Sequence, residues 1–516
     1  MIIEDNLKLA PLVLNTSDAS KSTQASADAL AIANAVKTEV ENERIGNNVY
    51  PQIHWDFYHS HQQKYFVKRK NEDVEQFAER KKNGKTVNYV RFITDLDTRF
   101  LYGRPNKIGR QFGGDKKTEA RLREINKLIN INNFQMESKR NASLYGEQGV
   151  RLIPVDKRTG SQVEINTKID ENVYPHPVPL DARTSFFLLN PYGKVVAVTL
   201  VWEYTDYTQQ SKKVKVTELY TDDSRWTWHD DALHSAELNK YTLRDEFVLQ
   251  KNNPQRIDNI QDVLILQTAF NECLTDNSYF FARHGRPQLV SEVDLSNVIN
   301  KGDTVWEIKG DDMETKKVLD KLGFLVWDGK MEASMAHLEG LEAKIFKVSS
   351  TAAISTGDLK GIGNLRSGAA LITAHSPSIQ KAKEQVIIWE ENEDILSNAI
   401  VAFDALIHKT SVEQRFPKYE FVVNFPTTSG VPGEELMNTE IQQASINSHF
   451  VSIADVVRQN NPSWTDEQIK EYRQVLIKDS DEITDSKRAF VTETKEPANG
   501  TSSSAKKSKE QSKPKT

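Results

Sequence analysis

A change of period along the chain is the strongest constraint on how it can fold. Val195-Val196-Ala197-Val198-Thr199-Leu200-Val201-Trp202-Glu203-Tyr204 and Lys213-Val214-Lys215-Val216-Thr217-Glu218-Leu219-Tyr220 place apolar and polar residues largely in alternation. Alternation of this kind puts one face of a strand on a core and the other toward water. The same texture extends over Leu152 to Leu249, with Gly, Pro, Asn and Asp at its breaks, and predicts a β-rich segment with antiparallel pairing. On both sides the apolar residues recur at three-and-four spacing instead. Strands gathered in one stretch, with helices gathered before and after it, predict an α+β chain.

The flanks can be read in more detail. Residues up to about Asn48 are rich in Ala, Ser and Thr, with a candidate helix over Ala27 to Glu43, and read as a peripheral arm. Aromatic residues crowd Trp55 to Phe112, and Val87 to Leu101 has helical spacing until Gly103-Arg104-Pro105-Asn106 ends it. After Pro254, the series Ile257, Ile260, Val263, Leu264, Gln267, Phe270 and Leu274 predicts one long helix, stopped near His284-Gly285-Arg286-Pro287. A short mixed segment follows over Leu289 to Gly329, with strands expected at Thr304 to Ile308 and Phe324 to Trp327 and a helical stretch near Met313 to Leu322.

A second helix is marked by Met331, Met335, Leu338, Leu341, Ile345 and Val348, a narrow stripe suited to core packing or to a neighbouring helix. Ser349 to Asn364 is small-residue and glycine-rich, so mobility is expected there. A further helix begins around Arg366. Ser376-Pro377 should kink or interrupt it, because proline lacks the amide donor, before it resumes through Val386, Ile387, Trp389, Ile395, Leu396, Ile400, Phe403 and Leu406. Phe421 to Pro426 reads as a returning strand, and Glu434 to Ser448 with Ile453 to Lys478 as a small helical domain, its last helix restarted at Ser463 to Glu467. Beyond Lys495 the composition is that of a disordered tail.

Composition narrows the chemistry. The 516 residues include 67 Lys plus Arg against 73 Asp plus Glu, a formal charge of -6. That balance is the reverse of what a tight nucleic-acid binder carries, but it suits a conduit that must not hold phosphate. One cysteine, Cys273, excludes an intrachain disulfide framework and reads as a small buried hydrophobe. No apolar run approaches the ~20 residues of a membrane span, and Met1-Ile-Ile-Glu-Asp lacks the design of a secretion signal, so a cytoplasmic site of action is expected.

Catalytic motifs fail on inspection. Gly363 to Gly368 has the spacing of a phosphate loop, yet Ala369 and Ala370 stand where Lys and Ser or Thr would be needed, and Gly84-Lys85-Thr86 lacks the upstream glycine. His59 and His61 would share a face if they lay on a strand, which makes a metal site geometrically conceivable. Acidic runs such as Asp311-Asp312 and Glu390-Glu391-Asn392-Glu393-Asp394 read as solvated faces or subunit contacts. Most basic clusters, Lys68-Arg69-Lys70 and Lys212-Lys213 among them, read as solvated charge. No catalytic residues, cofactor or metal ligands are expected.

The order of elements resembles that of the portal proteins of long-tailed bacteriophages, and three strings sharpen the likeness. Phe92 to Pro105 resembles the family's helix ending in a Gly-x-Pro turn, Asn141 to Pro154 its helix-to-strand passage, and Arg366-Ser-Gly-Ala-Ala-Leu-Ile372 its Ser-Gly-x-Ala-Leu entry to a kinked helix. The likeness covers about Trp55 to Lys478 and leaves the N-terminal arm outside. The family's usual acidic ending of the passage into its central loop is replaced by Ile354-Ser355-Thr356-Gly357.

The resemblance implies a portal fold: an arm over 1–50, a β-rich wing over 51–253, stem helices over 254–284 and 330–348 bracketing a clip over 285–329, and a tunnel loop over 349–365. A kinked helix and wing return strand over 366–432, a helical crown over 433–480 and a disordered tail over 481–516 complete it. It implies a homo-oligomeric ring, a dodecamer in this family, through which double-stranded DNA is packaged and ejected, with Ser355, Thr356, Lys360, Asn364 and Arg366 facing the DNA. Implied partners are the terminase large subunit, a head-tail connector or adaptor, and the major capsid protein with its scaffold. The implied location is the portal vertex of the virion, with host cytoplasm during assembly, and no enzymatic activity. The competing readings are a capsid or tail structural protein without a channel, and a packaging enzyme.

Overall fold

The computed structural model describes residues 31, 33–35, 37–38, 51–103, 108–163, 171–206, 212–284, 288–291, 322–325, 332–352, 373–425, 452–460, 464 and 468–475. Its elements, in chain order, begin with helices α1 (Pro51–Tyr58), α2 (Val74–Asn83) and α3 (Tyr89–Tyr102), strand β1 (Gly109–Gly113), and helices α4 (Lys116–Ile129) and α5 (Ile131–Tyr145). Strands β2 (Glu147–Asp156), β3 (Val173–Pro179), β4 (Ser185–Leu189), β5 (Val195–Asp206), β6 (Lys212–Tyr220), β7 (Ser224–His229) and β8 (Ala232–Leu238) follow. A single turn α6 (Leu243–Glu246) leads to β9 (Phe247–Lys251) and the long α7 (Gln261–His284). Then come β10 (Gln288–Ser291), β11 (Leu322–Leu325), α8 (Glu332–Val348), α9 (Ser376–Ile407), the turn α10 (Val412–Arg415), β12 (Glu420–Asn424) and α11 (Ile453–Asn460).

The alternating segments form the sheet that their period demands. β4 to β8 make an antiparallel meander in sequential order, with Trp202 opposite Val216 and Leu219 opposite Trp226. β7 and β8 are joined by Asp230 and Asp231, both at positive φ (47° and 68°), the geometry that matches the twist of a two-residue hairpin. One face buries Leu188, Ala197, Leu219, Trp226 and Trp228. Ala33 packs into that same cluster and Lys37 bonds Asp231 at 3.0 Å, so these two residues of the expected arm rest on the sheet.

A second antiparallel sheet, β3-β2-β9, carries the main core. Leu122 and Ile125 of α4, Phe134 of α5, Val150 and Leu152 of β2, Val248 of β9, and Leu396, Ile400 and Phe403 of α9 are buried together. A neighbouring core joins α1, α3, α7 and α8 through Phe57, Val90, Ile93, Val263, Phe270, Leu341 and Ile345. Burial of each such side chain contributes about 1.5–3 kcal/mol. The stripe on α8 is therefore inward at Leu341 and Ile345, while Met335 and Val348 are exposed. Cys273 is half-buried rather than buried.

β1 pairs with β12, so the returning strand closes on residues about 300 positions earlier, Gly113 opposite Glu420. The proline of Ser376-Pro377 sits in the first turn of α9, where a missing amide costs nothing. Thr373 and Ala374 are helical and His375 is a turn, so the interruption falls just ahead of the proline. The expected helix start at Arg366, the strand at 304–308, all but the last residue of the helical stretch at 313–322 and the helix at 434–448 lie outside the described residues, and Leu322 belongs to β11 instead.

Contacts divide the chain into two units, Met1–Glu440 and Ile441–Thr516. In the second, Ser452 caps α11 by accepting from Asp455 N–H at 3.1 Å, and Trp464 packs edge-on to Tyr472, in the helical residues 468–475, at 5.1 Å.

Candidate functional site

The residues singled out for DNA contact, Ser355, Thr356, Lys360, Asn364 and Arg366, lie outside the described residues. What the structure gives is the base that holds their segment at both ends. α8 stops because Ser350 takes the left-handed conformation (φ 54°), which lets Thr351 N–H reach back to Phe346 C=O at 2.9 Å. The next amide, Ala352 N–H, donates to Ser378 Oγ in the first turn of α9 at 2.9 Å. Lys381, one turn further on, donates from Nζ to Ser349 C=O at 3.1 Å and pairs with Asp97 of α3 at 2.9 Å. The end of α8 and the start of α9 are thus tied together, and both are tied to α3.

α9 is then held along its length by buried ionic groups. Beside Lys381, Lys139 of α5 is fully buried, donating to Ser143 Oγ (2.6 Å) and Asn252 Oδ1 (3.2 Å), with its ammonium 5.6 Å from the Trp389 ring. Among the described residues no carboxylate contacts it, and burial depresses its pKa to about 7, partly opposed by the charge of Asp97. Further along, Glu393 accepts from Arg110 Nε (2.9 Å) and Nη2 (2.5 Å) and from Tyr102 O–H (3.1 Å). Burial, and next the charge of Glu393, push the Tyr102 hydroxyl well above its usual range. Near the end of the helix, Asp404, fully buried, takes Arg121 at 2.8 Å and Arg415 at 3.2 Å.

One sequence expectation is corrected here. Glu393 and its neighbour Asn392 are not solvated: both are buried, and Asn392 bonds the main chain of Lys251 in both directions, at 2.8 and 3.0 Å. Glu390, Glu391 and Asp394 share their run, but the partner that draws Glu393 inward, Arg110, lies 283 positions away and leaves no mark on local spacing. His59 and His61 are not on a strand; they follow the end of α1, where the His59 ring is tilted against Trp55 at 4.3 Å and His61 lies 3.5 Å from Asp56. Among the described residues no cluster of three His, Cys, Asp or Glu side chains could hold a metal ion, and no helix is long and apolar enough to cross a membrane.

The described residues form a mixed α+β body whose long helix α9 is pinned by charge to α3, β1, α4 and α10. Comparison of the sequence with family models gives the match directly: the model described as "Phage portal protein, SPP1 Gp6-like" covers residues 48–415, and the chain belongs to that family. The family is structural rather than enzymatic. Solved structures that the fold is similar to include a chain from the virion of a native gene transfer agent particle, at TM-score 0.39 and 10% identity over 73% of this chain and 91% of that one. Another is a chain from the neck of a native gene transfer agent particle computed with C12 symmetry, at TM-score 0.36 and 9% identity over 75% and 93%. No curated protein matches.

Proposed function

We propose that this protein is the subunit of a portal ring, the channel that double-stranded DNA crosses on its way into and out of a phage head. The observation that carries the reading is family membership over 48–415, a span that includes the α7 and α8 pair and the tied base of the segment after α8. In this reading 51–253 is the wing, 254–284 and 330–348 the stem, 285–329 the clip, 349–365 the tunnel loop and 433–480 the crown. Ser355, Thr356, Lys360, Asn364 and Arg366 meet the DNA, where a few weak polar and positive contacts follow a duplex carrying one charge per ~1.7 Å without gripping it.

Head-to-tail contacts between copies close such a ring without a free edge, with twelve subunits the expected number. The terminase docks on the clip during packaging, a head-tail connector replaces it afterwards, and capsid protein with scaffold surrounds the ring in the virion. The test is size-exclusion light scattering and negative-stain imaging of the protein, expressed alone and with its scaffold, alongside an ATPase and nuclease assay. Rings with a central hole and no turnover are expected. A monomer in both preparations, or one that hydrolyses ATP or cuts DNA, overturns the reading.

A further inference from the structure

α7 carries a polar stripe at four-residue spacing, Gln267, Asn271 and Thr275, that is buried at 0%, 0% and 4% exposure. The stripe faces Lys85–Asn88, which joins α2 to α3, and Tyr89, the first residue of α3. Thr275 Oγ1 accepts from Lys85 N–H at 2.9 Å, Asn271 Oδ1 from Val87 N–H at 3.0 Å, and Gln267 Oε1 from Tyr89 N–H at 3.0 Å. Gln267 Nε2 donates in return to Val87 C=O at 2.8 Å, and Asn271 Nδ2 donates to the buried Gln62, whose own amide holds Phe57 C=O at 3.0 Å.

The fit has a geometric cause. Four residues of helix rise about 6 Å, close to the ~6.6 Å spanned by two residues of a strand, so three successive side chains keep step with three alternate amides. Tyr89 then extends the contact to α8. Its ring meets Phe270 of α7 and Phe346 of α8 edge-on, at 5.2 and 5.3 Å, and its hydroxyl donates to Glu342 of α8 at 2.6 Å.

We propose that Lys85–Tyr89 is a rigid joint: a main-chain segment read by the side chains of one helix as if by a neighbouring strand, which fixes the direction of the α7 and α8 pair relative to α3. Tyr89 is the positioning residue that couples α8 to the joint. A tilt or partial slide of α7 opens all three bonds together, so the pair moves with α3 or not at all. The inference is independent of the portal reading, since it concerns how three helices of one chain are locked.

Amide hydrogen exchange, read at single residues on the whole protein, tests it. The amides of Lys85, Val87 and Tyr89 are expected to exchange at least a hundredfold more slowly than those of Thr86 and Asn88, an alternation that a loop merely shielded from solvent does not show. Asn271→Ala should speed exchange at all three positions tenfold or more and leave Trp389 to Phe403 unchanged. Tyr89→Phe should speed exchange in α8 and leave Lys85 and Val87 protected. A flat profile across 85–89 in the unaltered protein overturns the proposal even if Asn271→Ala does not fold, as does an effect of Asn271→Ala confined to residue 87.

Discussion

Lys139 is a cation held in the core by neutral oxygens and an aromatic face, and its titration should be visible in stability. Its pKa is depressed from 10.5 to about 7, so between those values the unfolded chain binds the proton that the folded chain has released. Stability should therefore rise with pH across that window, by at most about 1.4 kcal/mol per pH unit from this group. Urea unfolding from pH 7 to 9.5 measures the slope, and Lys139→Met should flatten it; an equal slope in both proteins would assign the effect elsewhere. Glu393→Gln is expected to destabilise by about 3–5 kcal/mol, because it leaves Arg110 as a buried cation without its carboxylate. Chemical denaturation of the variant, and of an Arg110→Met, Glu393→Leu pair that should recover most of the loss, checks this. At this scale the sequence is least legible. Three-and-four spacing marks Trp389, Leu396, Ile400 and Phe403 as inward, and they are, but whether Glu393 is wet or buried is decided by an arginine at the other end of the chain.

Among the elements, the periodic signals translate well because one physical cause dominates each. Alternation over 195–204 and 213–220 becomes β5 and β6, although Ala197 to Leu200 and Val216 to Tyr220 are buried on both faces, and the spacing from Val263 to Leu274 becomes α7. Ile257 falls outside that helix because the chain before it is held by side chains: Asn252 and Asn253 both donate to Ile257 C=O, at 3.0 and 2.6 Å, and Asp258 accepts from Ile260 N–H at 2.8 Å. The connector from β9 to α7 also presses on Gly146, whose φ of 88° and missing Cβ are both required, since a Cβ there would lie 2.1 Å from Arg256 C=O. Gly146→Ala should lower stability by more than about 2 kcal/mol, combining backbone strain with displacement of the connector. Thermal unfolding checks it, with Gly160→Ala as a comparison: that site has positive φ (67°) but open space, so it should lose about 1 kcal/mol.

Within the first unit, the tie between α8, α9 and α3 joins regions that the sequence reading kept apart as stem, tunnel loop, kinked helix and wing. If the ring reading holds, Lys381→Met should leave assembly intact, because no core side chain is lost, yet lower the yield of DNA-filled heads several-fold by loosening the base of the loop. Negative-stain imaging for rings and quantification of nuclease-protected DNA measure the two effects separately; full packaging by the variant would remove Lys381 from the mechanism. The pairing of β1 with β12 and the seating of α9 against Ile125 and Phe134 carry a consequence in time. A ribosome adds ~5–20 residues per second, so the ~300 residues between β1 and β12 take roughly 15–60 s to emerge. Between the end of β2 at residue 156 and the start of α9 at residue 376, ~220 residues or roughly 11–44 s at that rate, the apolar faces of α4, α5 and β2 have been made and their covering helix has not, so a nascent chain stalled before residue 376 presents Leu122, Ile125 and Phe134 to whatever chaperone or partner chain reaches them first.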